Sequence, residues 1–334
     1  MAVTLDQLLA SPDQYFYAFE GDHAVFVPMD RAAYRASYFL DQRIAPAAHG
    51  STMVPVAALL AHPLPALPVH WIFHIAHCGS TLLARALEAL DEGPGDGPGE
   101  GLVLREPAAL RQLALAPDPA RLRLALGLLA RRYLGARTTL IKANVPVNFM
   151  LDDIAAADPQ ARALMLYCAL PDYLLAILRT PQHRAWLRGV TTQLAGQLGD
   201  LTALNVGELS DGELGAALWR AQMQRFAAAL ELLPHARSLD AERFFAAPAP
   251  VLYAAAQLFE VPASAAATRA VADGPLFQTY SKNAGAAFDN AARRARRRAL
   301  ASELAPDIAQ AERWLARAAP DIATVMAKLA RAAL

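Results

Sequence analysis

Lysine is nearly absent from this 334-residue chain: Lys142, Lys282 and Lys328 are the whole set, against 28 arginines, so each one stands out. Net charge is absent too. Lys plus Arg equals Asp plus Glu at 31 each, so no global field draws the chain to nucleic acid or an anionic membrane, and any anion site has to be local. Cysteine is scarce, and Cys78 and Cys168 lie far apart with no metal-ligand or disulfide spacing, which predicts a reducing compartment, the cytoplasm by default. No uninterrupted apolar run approaches membrane-spanning length. The N-terminus, with acidic Asp6, lacks the basic start and apolar core of a signal peptide, so a soluble protein is expected. No pair among the eight histidines has the i, i+4 spacing with an intervening Glu that a helical zinc site needs. His74 and His77 stand three apart with no third ligand nearby in sequence, and no metal is expected.

What is present is apolar content, 55% of the chain, enough for a substantial core. Residues 4–10 read as a helix, and Tyr15 to Phe19 with Ala24 to Pro28 as two strands joined by a Gly21-Asp22 turn. The stretch Val54 to His62 reads as helix, and Pro63 to Pro68 then leads into VHWIFHI, the first strong buried strand. After it come the small-residue loop AHCGS and an amphipathic helix with Leu82, Leu83, Leu87 and Leu90 on one face. The loop GPGDGPGEG returns the chain to a short strand at Leu102 to Leu104. TTLIKA (138–143), RALMLYC (162–168) and Ala236 to Leu239 supply the remaining strands, alternating with helical stretches. That alternation predicts an α/β fold of three layers, a central mostly parallel sheet between helices, with a helical C-terminal region. With no internal repeat and no second boundary, the chain reads as one domain, 1–334: an N-terminal addition (1–65), a core (69–260) and a helical extension (261–334).

A strand that ends in a Gly-containing turn and opens a helix aims backbone N–H groups and the helix dipole at one spot, where an anion is favoured. FHIAHCGSTLLAR has this arrangement. In a nucleotide-hydrolysing loop a Lys follows the second Gly and reaches the terminal phosphates. In this chain Ser80 follows Gly79, and the Lys is missing. An ordinary strand-to-helix turn with Ser80 as N-cap is the alternative. Cys78 at a helix N-terminus reads as a candidate low-pKa thiol.

The order His77, Cys78, Gly79, Ser80, Thr81, Leu82 resembles the P-loop of sulfotransferases, where a basic residue precedes a Ser-Gly-Thr-Thr type turn. LIKANVPVNFM resembles a second sulfotransferase segment, in which a strand ends in Lys, a small residue and His. Lys142 and Pro146 match it, and Asn144 stands in place of the His base. The resemblance implies binding of 3′-phosphoadenosine 5′-phosphosulfate as co-substrate, no metal, and transfer of its sulfuryl group to an acceptor hydroxyl or amine. By that resemblance His77 to Leu82 hold the 5′ side of the donor, and His77, Ser80, Thr81 and Lys142 neutralise charge on the leaving phosphate. In some sulfotransferase branches a Glu after the next strand is the general base, and by that resemblance Glu106, in LREPAALRQL, takes the role Asn144 cannot, which requires its pKa to be raised by burial or the acceptor's to be lowered. It also suits a carboxylate before the helix opened by Pro107.

Two departures concern the donor's 3′ phosphate. Where the family places Arg and Ser, this chain has Cys168 and Ala176, and Arg179, one turn on, becomes the candidate substitute. Lys282, in the loop GPLFQTYSKNAGAAF, is a further candidate donor-binding cation expected to fold over the cleft. The run ARRARRRAL reads as a solvated helix side facing acidic groups. Trp186, like Trp71, Trp219 and Trp314, reads as core or acceptor-pocket, with core preferred. The departures leave a second reading open, a sulfotransferase-like binding or scaffold protein without activity, and a third, an ATP-using kinase, is disfavoured by the missing Lys.

Overall fold

A computed structural model describes residues 4–65, 67–91, 101–133, 138–202, 206–280 and 283–334. Lys282 lies outside the described residues, as does the glycine- and proline-rich loop after Asp91 up to Gly101. In the N-terminal region β1 (Gln14–Glu20) and β2 (His23–Pro28) pair antiparallel across the two-residue turn, with Glu20 opposite His23. Gly21 sits at φ +57, a left-handed angle that glycine adopts without steric cost. A third strand, β3 (Thr52–Pro55), pairs antiparallel with β2, so the helix expected over 54–62 starts later and is the short Val56–Leu60. Pairing with β2 claims Val54, and Pro55, which has no N–H to give, ends the strand and opens the helix.

The central sheet has five strands: β4 (Val69–His74), β5 (Leu102–Arg105), β6 (Thr139–Lys142), β7 (Ala163–Tyr167) and β8 (Ala236–Asp240). Their order is β5-β6-β4-β7-β8, and each neighbouring pair is parallel. Strands β4 to β7 are buried along their whole length, as continuous apolar runs require in a sheet covered on both faces. The helix Ser80–Asp91 packs on β4, β5 and β6 and is backed by Pro248–Leu258 and Ala265–Asp273. The long helix Asp211–Leu232, with Leu170–Ile177, Pro181–Gln193 and Ala305–Ala318 against it, covers the other face. Residues 332–334 run along the outer edge of β8: Ser238 N donates to Ala332 O at 2.9 Å and Leu334 N to Ser238 O at 2.9 Å. An open sheet edge is thereby paired.

After β4 the chain builds β5 and β6 on one side and then β7 and β8 on the other. In such sheets ligands bind beyond the carboxyl ends of the strands, where the winding direction changes. The sheet brings the ends of β4, β5, β6 and β7, and so the loops that follow them, to one side. The N-terminal region reaches the same place. The Arg105 guanidinium donates to the carbonyls of Tyr34 and Ser37 and pairs with Glu88 at 2.7 Å, while Leu40 N donates to Arg105 O at 2.7 Å. These bonds set Phe39 and Arg43 beside the end of β5.

Candidate active site

The loop between β4 and the helix Ser80–Asp91 is held from below by side chains. His74 Nδ1 accepts the Ala76 N–H at 3.0 Å, Asn148 Nδ2 donates to His74 O at 2.9 Å, and Cys78 Sγ donates to Leu166 O at 3.7 Å. Ala76 and His77 take φ values of 71 and 52, and Glu106, after β5, takes 58. Left-handed backbone costs a residue with a Cβ on the order of 1–3 kcal/mol and persists where the surroundings impose it, often at functional sites. Gly79 is at φ +86, and a Cβ there would stand 2.8 Å from the Phe245 ring. Only glycine fits that position.

Two cavities open around this loop. The larger, about 420 Å³, is lined by His77 through Leu82, Cys168, Ala176, Arg179, Phe245 and the helix Asn290–Glu303. Ser80 and Thr81 are buried, and the Thr81 hydroxyl has no hydrogen-bond partner among the described residues. The arginine-rich run does face acids: Arg293 pairs with Glu242 at 2.7 Å, and Arg297 pairs with both Glu242 and Asp172. It is not only a solvated helix side, however. Arg293, Arg296 and Arg297 line the cavity beside Cys168 and Ala176, and with Arg179 they set four cations against the carboxylates of Asp172 and Glu242. Helical periodicity could not single these out, because arginine occupies neighbouring positions around the helix. Arg179 is exposed and is bonded to His183 Nε2, with Nε at 3.0 Å.

The smaller cavity, about 260 Å³, is lined by Glu106, His74, Asn144, Arg111, Trp186 and His77 among others. Glu106 and His77 therefore share one cleft, and His77 lines both cavities. The His77 ring lies 4.8 Å from that of His183 and meets Trp186 edge-on at 5.4 Å, centroid to centroid. Trp186 is thus a half-buried wall of the cavity, while Trp71, Trp219 and Trp314 are buried in the core.

Lys142 lines neither cavity, which revises the expectation that it contacts the leaving phosphate. Its side chain is 1% exposed, and its ammonium donates to Glu106 and lies 3.0 Å from His74 Nε2. It reaches the site through Glu106 and His74, which do line the smaller cavity. Burial alone would raise the Glu106 pKa, as the sequence suggested. The charge of Lys142 and the hydrogen bonds of His74 and Lys142 outweigh it, and the carboxyl is held well below the usual carboxylate range. Burial instead governs the two thiols. It pushes Cys78 up to about 11, against the low value expected at a helix N-terminus, and raises Cys168 as well. His74, Arg43 and His183 were not singled out from the sequence as site residues. Only the position of His74 on the strand before the loop signalled it.

No family model and no curated protein matches the chain. Two solved structures are similar to it. One is a sulfotransferase domain from the curacin biosynthetic pathway, at 13% identity over 72% of this chain and 99% of that one, with a TM-score of 0.40. The other is a sulfotransferase from Alicyclobacillus acidocaldarius, at 15% identity over 74% of this chain and 95% of that one, with a TM-score of 0.36.

Proposed function

We propose that the protein is a sulfotransferase, moving a sulfuryl group from 3′-phosphoadenosine 5′-phosphosulfate to an acceptor hydroxyl or amine. The observation that carries this is the loop itself. It ends in a helix N-terminus, has Ser80 in place of the Lys of a nucleotide-hydrolysing loop, and holds the buried Thr81 hydroxyl unpartnered at the wall of the larger cavity. A phosphate oxygen would supply the partner Thr81 lacks. The donor's second phosphate fits the same cavity. Cys168 and Ala176 offer it no charge, but Arg179, Arg293, Arg296 and Arg297 do.

Bound in the larger cavity, the donor would supply the sulfuryl group, and the acceptor would occupy the smaller one. As the acceptor oxygen or nitrogen bonds to sulfur and the sulfur–phosphate oxygen bond breaks, the nucleophile's proton turns strongly acidic. Even a carboxylate of low pKa can then take it, and Glu106 is the ionised carboxylate in that cleft. His77, which lines both cavities, and the loop N–H groups are placed to stabilise the charge that collects on the departing phosphate. Lys142 orients Glu106 and touches neither reactant.

Calorimetric titration with 3′-phosphoadenosine 5′-phosphate tests the reading. Micromolar binding that does not need magnesium supports it, whereas no saturable binding, or magnesium-dependent ATP turnover, overturns it. A second reading, a binding protein that has kept the fold without the chemistry, is favoured by Cys168, Ala176 and Asn144. It gains the lead if the nucleotide binds and labelled donor transfers nothing to any acceptor in a broad screen.

A further inference from the structure

The smaller cavity carries a charge pattern that the transfer reaction itself does not call for. Three cations come close to it, and two are already satisfied. Lys142 is bound to Glu106 behind the wall. Arg43 lies over the Phe39 ring at 3.7 Å and is paired with Asp41 through Nε at 2.8 Å and Nη2 at 2.5 Å. Arg111 is different. It stands about one turn into the helix Ala108–Leu115, is half-buried, and lines the cavity. Among the described residues it pairs with no carboxylate, and its guanidinium hydrogen-bonds the neutral amide oxygen of Gln193.

A second group in the same wall also lacks a counterpart. Asn144 is 6% exposed, and its amide oxygen accepts no hydrogen bond among the described residues. A buried acceptor left alone is destabilising, so it calls for an N–H or O–H donor. Arg111, with its planar fork, calls for an anion that can accept two hydrogen bonds. The volume of about 260 Å³ lies below the roughly 300–1,000 Å³ of cavities that take drug-sized ligands. The occupant is therefore small, and Phe39 and Trp186 provide apolar surface for one ring.

We propose that the smaller cavity takes a small anionic molecule: its carboxylate or phosphate pairs with Arg111, and its hydroxyl or amine donates to Asn144 beside Glu106. Calling this molecule the sulfuryl acceptor rests on the function proposed above. The binding itself does not, because it needs no donor.

The full chain is titrated calorimetrically with 4-hydroxyphenylacetate, with 4-hydroxybenzylphosphonate, and with 4-hydroxyphenylacetamide, a neutral match in shape to the first. At least one anion is expected to bind ten-fold or more tightly than the amide, with a preference that shrinks as salt is added. Which anion binds better tells a carboxylate site from a phosphate site. Arg111→Gln should bring the anions down to the level of the amide, and Arg111→Lys should restore part of the preference. Equal binding of anions and amide, no saturable binding of either anion, or a preference that survives Arg111→Gln overturns the proposal. The wild-type comparison stands even if a variant fails to fold. If the anion preference at Arg111 holds while 3′-phosphoadenosine 5′-phosphate does not bind, the anion site stands and sulfuryl transfer falls. If the nucleotide binds and the anions do not, the reverse is true.

Discussion

Lys142 and Glu106 are joined twice: the Glu106 N–H donates to the Lys142 carbonyl at 2.7 Å, and the Lys142 ammonium donates to the Glu106 carboxylate. The backbone bond continues the β5–β6 ladder one step past Arg105, which lies opposite Lys142. It fixes Glu106 in a left-handed conformation at the mouth of the cleft, and the side-chain bond then aims the carboxylate. Position and charge state thus have one source.

Glu106→Gln should lower turnover by about 10² to 10⁴, the usual effect of removing a positioned base, while 3′-phosphoadenosine 5′-phosphate binds almost as before. Lys142→Met should also slow turnover, and it should cost roughly 3 kcal/mol or more of stability by leaving a mostly buried carboxylate without its cation. Because both changes act on one pair, the double variant should be more stable than the sum of the singles predicts, by about 0.5–3 kcal/mol. Urea denaturation of all four proteins checks this, and strict additivity would mean that Lys142 does not act through Glu106.

The pair also sets a pH dependence. The folded pKa of Glu106 lies below its unfolded value of about 4.3, so the stability it contributes is fully present above that value and is lost as pH falls through the folded pKa. The stability difference between wild type and Glu106→Gln should be flat between about pH 6 and 8 and shrink below about pH 4.3. Denaturant midpoints at several pH values measure it. A difference that instead shrinks across that neutral range would mean that the carboxyl titrates higher than its ion pair allows.

Four of the five central strands, β4 to β7, were legible because each is a short, nearly continuous apolar run, the pattern of a parallel sheet covered on both faces, whereas β8, ARSLD, is mixed. The loop was legible because Gly79 sits between a strand and an amphipathic helix. Strand β3 was not, since its pairing with β2 is a tertiary contact that outweighs local propensity. The electrostatics of the site were hidden for a similar reason. Glu106, Lys142 and His74 lie on three different strands or their ends, and only strand order makes them neighbours, so burial looked like the governing influence on Glu106 when the ion pair governs it. Cys78 shows the opposite case, where a helix N-terminus promised an acidic thiol and burial decided otherwise.

Gly79→Ala should destabilise the protein by more than the roughly 1 kcal/mol typical of a strained backbone position, because the new methyl group would meet the Phe245 ring as well as an unfavourable φ. Adding Phe245→Leu should relieve the contact and leave the backbone cost, so the double variant should melt between Gly79→Ala and wild type. Thermal melts decide, and a Gly79→Ala protein that melts at the wild-type temperature would show that the loop does not hold this conformation.

Both thiols should be inert in the folded protein. Cys78 and Cys168 are buried and their pKa values are raised, so at about pH 8 almost no thiolate is present to react. Ellman's reagent should titrate them only as the chain unfolds, and fast reaction of either in native buffer would contradict the burial.

The arginines of the larger cavity should matter unequally, and charge geometry says how. Arg293 and Arg297 hold Glu242 and Asp172, so removing either one exposes a carboxylate as well as losing a cation. Arg179 and Arg296 line the same cavity and are exposed, so alanine there tests anion binding with little disturbance to packing. A hydrogen bond to a charged group contributes about 1.5–3 kcal/mol, which is roughly ten-fold or more in affinity. Arg179→Ala and Arg296→Ala are therefore each expected to weaken 3′-phosphoadenosine 5′-phosphate about ten-fold. Arg294→Ala, on the same helix as Arg296 but outside the cavity wall, should leave it unchanged. If either cavity arginine reads the phosphate on the ribose, its loss should weaken 3′-phosphoadenosine 5′-phosphate more than adenosine 5′-phosphate. Equal losses for both nucleotides would place that arginine at the 5′ side instead, and no loss in either variant would take the nucleotide out of this cavity.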